Sequence, residues 1–233
     1  MRQLLLMVTC LWSVCMHAQL RLGLQGGYNR VKWAASDAVP TSTDENYATS
    51  GLSGFQSGVV AEIRILNSLS LRSGVFISGK GTTLKHQSQS WNDTSSRSIW
   101  IRYLEAPVTL IYYYNLYKQV RAFTGGGFYA AQAFRGVEKG EGHDATGPYT
   151  MYNEVEFSNQ NENQIYPTIM KPFDYGYTFL TGIERNRVQL LLTYSRGIKN
   201  LLPNSFNGNY RNSTLSLSLA YLLSTKKHKQ DFL

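Results

Sequence analysis

Apolar residues return at every second position along most of this chain. Leu215, Leu217, Leu219, Tyr221 and Leu223 alternate with Ser216, Ser218 and Ala220. Leu69, Leu71, Ser73, Val75 and Ile77 likewise oppose Ser70, Arg72, Gly74, Ser78 and Lys80, with Phe76 the one large apolar residue on the polar side. A period of two puts one kind of side chain on each face of a strand, and no helical stripe of useful length competes with it. The pattern predicts an all-β chain with eight strands near 20–28, 54–66, 69–83, 98–114, 119–135, 171–183, 188–197 and 211–223. The connections alternate in length. Positions 67–68, 115–118 and 184–187 are tight polar turns, whereas 29–53, 84–97, 136–170 and 198–210 are long and rich in Ser, Asn, Gly and Thr.

A soluble sandwich gives no reason for that rhythm. An eight-stranded antiparallel up-and-down transmembrane β-barrel does, with short periplasmic turns and long extracellular loops. Hydrocarbon offers backbone groups no hydrogen-bond partner, so a sheet that crosses it has to close on itself. At eight strands the interior is just filled by side chains. Charge decides which face meets lipid, because Arg or Lys on the lipid face at mid-membrane costs about 2 to 4 kcal/mol. Phe55, Val59, Ala61, Ile63 and Ile65 alternate with Gln56, Gly58, Glu62 and Arg64. Leu104, Ala106, Val108, Leu110 and Tyr112 alternate with Tyr103, Glu105, Thr109 and Ile111. Glu62, Arg64, Arg72, Glu105 and Asp174 are therefore expected to point inward and to pair there as a lumen charge network, with Glu184 as a further candidate. The tyrosines at 112 to 114, Tyr117, Tyr175 and Tyr221 are candidates for interfacial girdles, and Gly125-Gly126-Gly127 for a sharp bend or a close approach.

Composition narrows the picture further. Charged residues make up 16% and aromatics 13% of 233 residues, which excludes a solvated disordered chain. No run of about 18 uncharged apolar residues lies beyond the N-terminus, so a helical membrane bundle is excluded as well. Residues 1–18 read as a secretory signal: Arg2 supplies the positive start, an apolar run covers 4–15, and Ala18 precedes a cleavage point before Gln19. The domain organisation is then signal peptide 1–18, barrel 19–223 and a polar basic tail 224–233. Cys10 and Cys15 both fall in the signal, so the mature chain has no disulfide and no thiolate metal site. Net charge is +8, or +7 once Arg2 is removed. The basic residues are scattered and do not form one stripe with aromatic platforms, which argues against nucleic acid as a partner. Outer-membrane lipids, lipopolysaccharide and envelope or secretion-machinery proteins are the expected partners, and the cell outer membrane the expected location.

The order of Leu22-Gly23-Leu24-Gln25-Gly26-Gly27-Tyr28-Asn29, Gly54-Phe55-Gln56-Ser57-Gly58-Val59, Tyr103-Leu104-Glu105-Ala106-Pro107-Val108, Phe123-Thr124-Gly125-Gly126-Gly127 and Ser216-Leu217-Ser218-Leu219-Ala220-Tyr221 resembles the outer-membrane β-barrel domain family of Bacteroidota, often labelled PorT-like. The resemblance spans nearly all of 20–223, and its most specific piece is the Tyr-Leu-Glu-x-Pro segment. It implies an eight-stranded outer-membrane barrel generally without a catalytic site, and a possible link to secretion machinery. This chain departs at Ala106, where the family has Ile or Leu, and at Thr109, where it has a longer apolar run. It also departs after Leu223, where a tail with Lys226, Lys227, His228 and Lys229 follows instead of a terminal aromatic.

Candidate chemistry is sparse. Outside the signal the histidines are His86, His143 and His228, and no HExxH, CxxC or GxSxG occurs. His86 beside Ser88 and Ser90 imitates the rim histidine of a lipid A-modifying enzyme, and His143-Asp144 sits in a glycine-punctuated loop. The plainer expectation is solvated loop histidines. Glu138, Glu141, Asp144, Glu154, Glu156 and Glu162 against Lys139 read as a soluble acidic loop, without the spacing of a calcium-binding loop. The chain is expected to be a non-enzymatic barrel with a plugged lumen and no cofactor. The alternatives are the lipid A-modifying enzyme and a soluble periplasmic lipocalin-like barrel that turns its apolar faces inward.

Overall fold

The computed structural model describes residues 19–36, 45–88, 93–144, 147–160, 168–203 and 209–224. The signal peptide and the tail beyond Ser224 lie outside the described residues. Eleven strands occur among the described residues: β1 Gln19–Ser36, β2 Glu45–Leu66, β3 Leu69–Ser88, β4 Asp93–Tyr117, β5 Val120–Asp144, β6 Gly147–Glu154, β7 Glu156–Phe157, β8 Ile169–Met170, β9 Phe173–Arg185, β10 Val188–Gly197 and β11 Asn209–Ser224. Antiparallel pairing runs β4-β3-β2-β1-β11-β10-β9-β5, and β4 also pairs with β5, so eight strands close a ring. Closure removes both sheet edges, as crossing hydrocarbon requires.

The ring is staggered. Stepping from Arg21 to its register partners, through Glu62, Arg72, Thr109, Gly127, Thr178, Ser195 and Thr214, returns to β1 at Val31, ten residues further along. That stagger tilts the strands and sets which side chains share a level inside. Phe55 (75% exposed), Phe128 (70%), Leu24, Leu217, Leu219 and Ile77 face outward, while Glu62, Arg72, Gln189 and Ser218 are buried. The apolar face therefore looks away from the barrel, so a lipocalin-like inversion does not apply to it.

The strands overrun the sequence expectation at the loop end. Segments 29–53, 84–97 and 136–170 were expected as loops, yet β1, β2, β3, β4 and β5 all extend into them. Their Ser, Thr and Gly content suppresses the alternation signal, and ladder pairing with a neighbour supplies what propensity lacks. β6 adds to the β5 extension through Val137↔Glu154 to Asp144↔Gly147. Glu138 is buried there, not part of a solvated acidic loop: Arg97 Nε donates to it at 2.6 Å, and the Thr168 hydroxyl also donates to it. One other expectation is corrected. Tyr113 is buried instead of girdling the membrane, because it alternates with the exposed Tyr112 and Tyr114. Phe76 packs inside with Val60 and Leu222.

Candidate functional site

The lumen is the candidate site, built in layers along the barrel. Near the turn end, Glu62 on β2 stands in register with Arg21 on β1 and Arg72 on β3. Arg21 Nη2 donates to Glu62 Oε1 at 2.5 Å, and its Nη1 donates to both Glu184 carboxylate oxygens at 2.9 and 3.0 Å. Tyr113 Oη donates to Glu62 at 2.8 Å. Arg72 Nη1 lies 3.6 Å from Glu62 Oε2 and donates to Gln189 Oε1 at 2.5 Å, while its Nη2 donates to Gln25 Oε1 at 2.7 Å. Gln189 Nε2 closes the loop by donating to Glu184 at 2.6 Å. Arg121 also pairs with Glu184 and lies over the Tyr113 ring. Charge-assisted forks of this kind offset the cost of burying the carboxylates, while Glu62 Oε2 keeps only its 3.6 Å ion pair with Arg72 and accepts no hydrogen bond among the described residues.

A second cluster lies toward the loop end. Glu105 and Asp174 both stand in register with Ala131, one on each side of β5. The small Ala131 side chain leaves the space between the carboxylates open, and Lys80 enters it from β3. Its Nζ is 2.7 Å from Glu105 Oε2 and 3.5 Å from Asp174 Oδ2, in orientations outside hydrogen-bond geometry. Tyr129 Oη and Asn212 Nδ2 donate to Asp174 Oδ2 at 3.1 and 2.8 Å. Lys80 Nζ also sits 4.2 Å from the Tyr129 ring centroid, a position in which a ring face stabilises a desolvated ammonium. Above this layer Trp33, Ile99, Ile101, Tyr103, Met170 and Leu201 form an apolar cap.

Between the two ionic layers lies a cavity of about 50 Å³, lined among others by Gln25, Asn29, Arg72, Lys80, Glu105 and Thr214. It has room for a few waters beside the polar side chains that share its lining with Phe76, Leu180 and Leu191. The Asn29 amide and the Thr214 hydroxyl face it without a protein hydrogen-bond partner.

Of the residues read from sequence, Glu62 and Arg72 meet in the turn-end layer, whereas Glu105 and Asp174 meet in the other, through Lys80. Arg64 lies half-buried on the same inward face of β2, in register with Gln19 and Ser70. Sequence reasoning missed Arg21 and Arg121, and it placed Lys80 on the polar face without seeing its role. Their signal was present, since each occupies an inward parity position on its strand. His143 is exposed on the β5–β6 hairpin, its backbone in register with Thr94 and Pro148. The backbone of His86 pairs with Tyr47 and Ser95, and its side chain lies outside the described residues. No metal-ligating group of three or more His, Cys, Asp or Glu occurs among the described residues.

Residues 16–202 match the family described as outer membrane protein beta-barrel domain. No curated protein matches the chain. Among solved structures it is similar to the outer membrane protein OprG from Pseudomonas aeruginosa, with 11% identity, coverage of 89% of this chain and 97% of that one, and a TM-score of 0.49. It is also similar to Neisserial surface protein A, with 15% identity, coverage of 86% and 96%, and a TM-score of 0.40. The attachment invasion locus protein Ail of Yersinia pestis shows 10% identity, coverage of 88% and 99%, and a TM-score of 0.36.

Proposed function

The chain belongs to the outer membrane protein beta-barrel domain family, and from that premise we propose that it is a plugged, non-enzymatic barrel that acts through its loop end. Residues 1–18 serve as the cleaved export signal in this reading. The observation that supports it is the pair of ionic layers inside the barrel, one around Arg21, Glu62 and Glu184 and one around Lys80, Glu105 and Asp174, with a cavity of about 50 Å³ between them and an apolar cap above. A passage for solutes would have to break both layers, and stripping one partner from a buried pair costs about 3 to 5 kcal/mol.

The remaining outlets for function are the β2–β3, β4–β5 and β5–β6 extensions at the loop end, which stand beyond the apolar belt. The likeness to PorT-like barrels of Bacteroidota supports envelope or secretion-machinery proteins as partners for that surface, alongside lipopolysaccharide and other outer-membrane lipids. In planar bilayers the purified protein is expected to give no stable conductance steps; sustained open-channel current would overturn the plug. Expression is expected to leave lipid A unchanged by mass spectrometry, and a new lipid A species that His143→Ala abolishes would overturn the non-enzymatic reading.

A further inference from the structure

The outer surface changes character abruptly at the loop end. Two residues beyond Tyr28, Leu104 and Tyr194 on their strands, the outward positions become Arg30, Arg102 and Arg196, and Lys32 follows Arg30; all four are exposed. A collar of cations thus sits directly on the rim of the apolar belt.

Two places in the collar bring cations together. Arg102 and Arg135 are direct register partners on β4 and β5. Strict alternation from the buried Ala133 would turn Arg135 inward. A register shift between Arg102 and Tyr103 on the β4 side inserts one extra residue in β5, so Phe134 and Arg135 both face outward. Re-aiming a side chain is what a bulge does, and here it sets two arginines opposite each other, an arrangement that repels when nothing lies between them. On the other side of the barrel Ser213 is in register with Arg196 on β10 and with Lys32 on β1. Two strand spacings put those two backbones about 10 Å apart, within reach of one shared anion for such long side chains. Among the described residues the ion pairs lie in the lumen or on the β4–β5 extension, and none engages Lys32, Arg102, Arg135 or Arg196. Lys171 nearby titrates below its ordinary value, first from partial desolvation and then from the positive charge of Lys199, so the β9–β10 sector is electropositive too.

We propose that Arg102 with Arg135, and Lys32 with Arg196 across Ser213, form two sites for the phosphate groups of lipids in the leaflet around the loop end. The proposal rests on the reading of the chain as an inserted barrel and deepens it by naming the lipid chemistry. Geometry favours a lipid over a soluble anion, because each site adjoins large apolar side chains, Leu104 and Phe134 at one and Tyr28, Tyr194 and Leu215 at the other. One amphiphile can then engage charge and hydrocarbon together.

The full-length folded protein is titrated with lipid A carrying its phosphates, with dephosphorylated lipid A and with inorganic phosphate, and bound lipid is counted by native mass spectrometry. Phosphorylated lipid A is expected to bind at least tenfold more tightly than the dephosphorylated form. Arg102→Gln with Arg135→Gln, and separately Lys32→Gln with Arg196→Gln, are each expected to weaken one of two binding steps about tenfold, as loss of a charge-assisted contact implies. Lys118→Gln with Arg187→Gln at the turn end is expected to change nothing. Equal binding of the two lipid A forms to the wild type, or undiminished binding to both rim variants, overturns the proposal. Inorganic phosphate that displaces the lipid fully at low concentration also overturns it, as that marks a soluble-anion site. Heat-modifiable gel mobility, read on every variant, reports barrel insertion separately, so a failure of the barrel reading is distinguishable from a failure of the sites.

Discussion

Glu62 is 1% exposed, and Arg21, Arg72 and Tyr113 all converge on its carboxylate. Truncating it would leave two guanidinium groups short of a counterion in a narrow lumen, so Glu62→Ala is expected to cost about 3 to 5 kcal/mol. Glu105→Ala, which strips Lys80 of its nearer carboxylate, is expected to lower thermal stability by a similar order, whereas the exposed Glu141→Ala is expected to stay within about 0.5 kcal/mol of wild type. Thermal or urea unfolding of the reconstituted protein checks the ranking, and equal midpoints for Glu105→Ala and Glu141→Ala would refute it. The inward direction of Glu62, Arg72, Glu105 and Asp174 was legible in the sequence, because an Arg or carboxylate between apolar neighbours cannot face hydrocarbon cheaply. Their partners were not. Glu105 meets Lys80 and not an arginine, and Glu184 draws in Arg21 from a strand three places away around the ring, across β10 and β11.

Turns and bulges carry the information one level up. The β4–β5 turn holds Lys118 at φ 39° and the β9–β10 turn holds Asn186 at φ 57°. The left-handed region costs most side chains about 1 to 2 kcal/mol, whereas Asn visits it readily. Lys118→Gly is therefore expected to raise stability by about 1 kcal/mol and Asn186→Gly by clearly less, with urea midpoints as the measurement. Sequence reading found these turns, since tight polar connections interrupt the alternation. It missed how far β2 to β5 continue past the membrane, because positions 82–88 and 93–98 are mostly Thr, Ser and polar residues with no apolar face to announce a strand. It could not see the bulge at Phe134 and Arg135 either. A single extra residue changes parity only relative to a partner strand, and the partner is a property of pairing.

Closure gives the molecule its sidedness. Leu217→Cys is expected to resist a membrane-impermeant maleimide in whole cells and in intact vesicles while labelling after denaturation, and a cysteine at exposed His143 is expected to label readily when that end faces the reagent. Ready labelling at position 217 in the folded state would sink the inserted barrel. The outward belt of Leu, Phe, Tyr and Val and the inward polar face follow from a period of two joined to the cost of charge in lipid, and so the sequence by itself determined strand class, facing and the short-long rhythm of connections. Only the closed ring decided which inward residues share a layer. A stagger of ten residues around eight strands brings Arg21 level with Glu184 and sets Lys80 between Glu105 and Asp174. The stagger is a sum of register choices over every strand pair, and each choice depends on two segments at once, so no local pattern along one strand contains it.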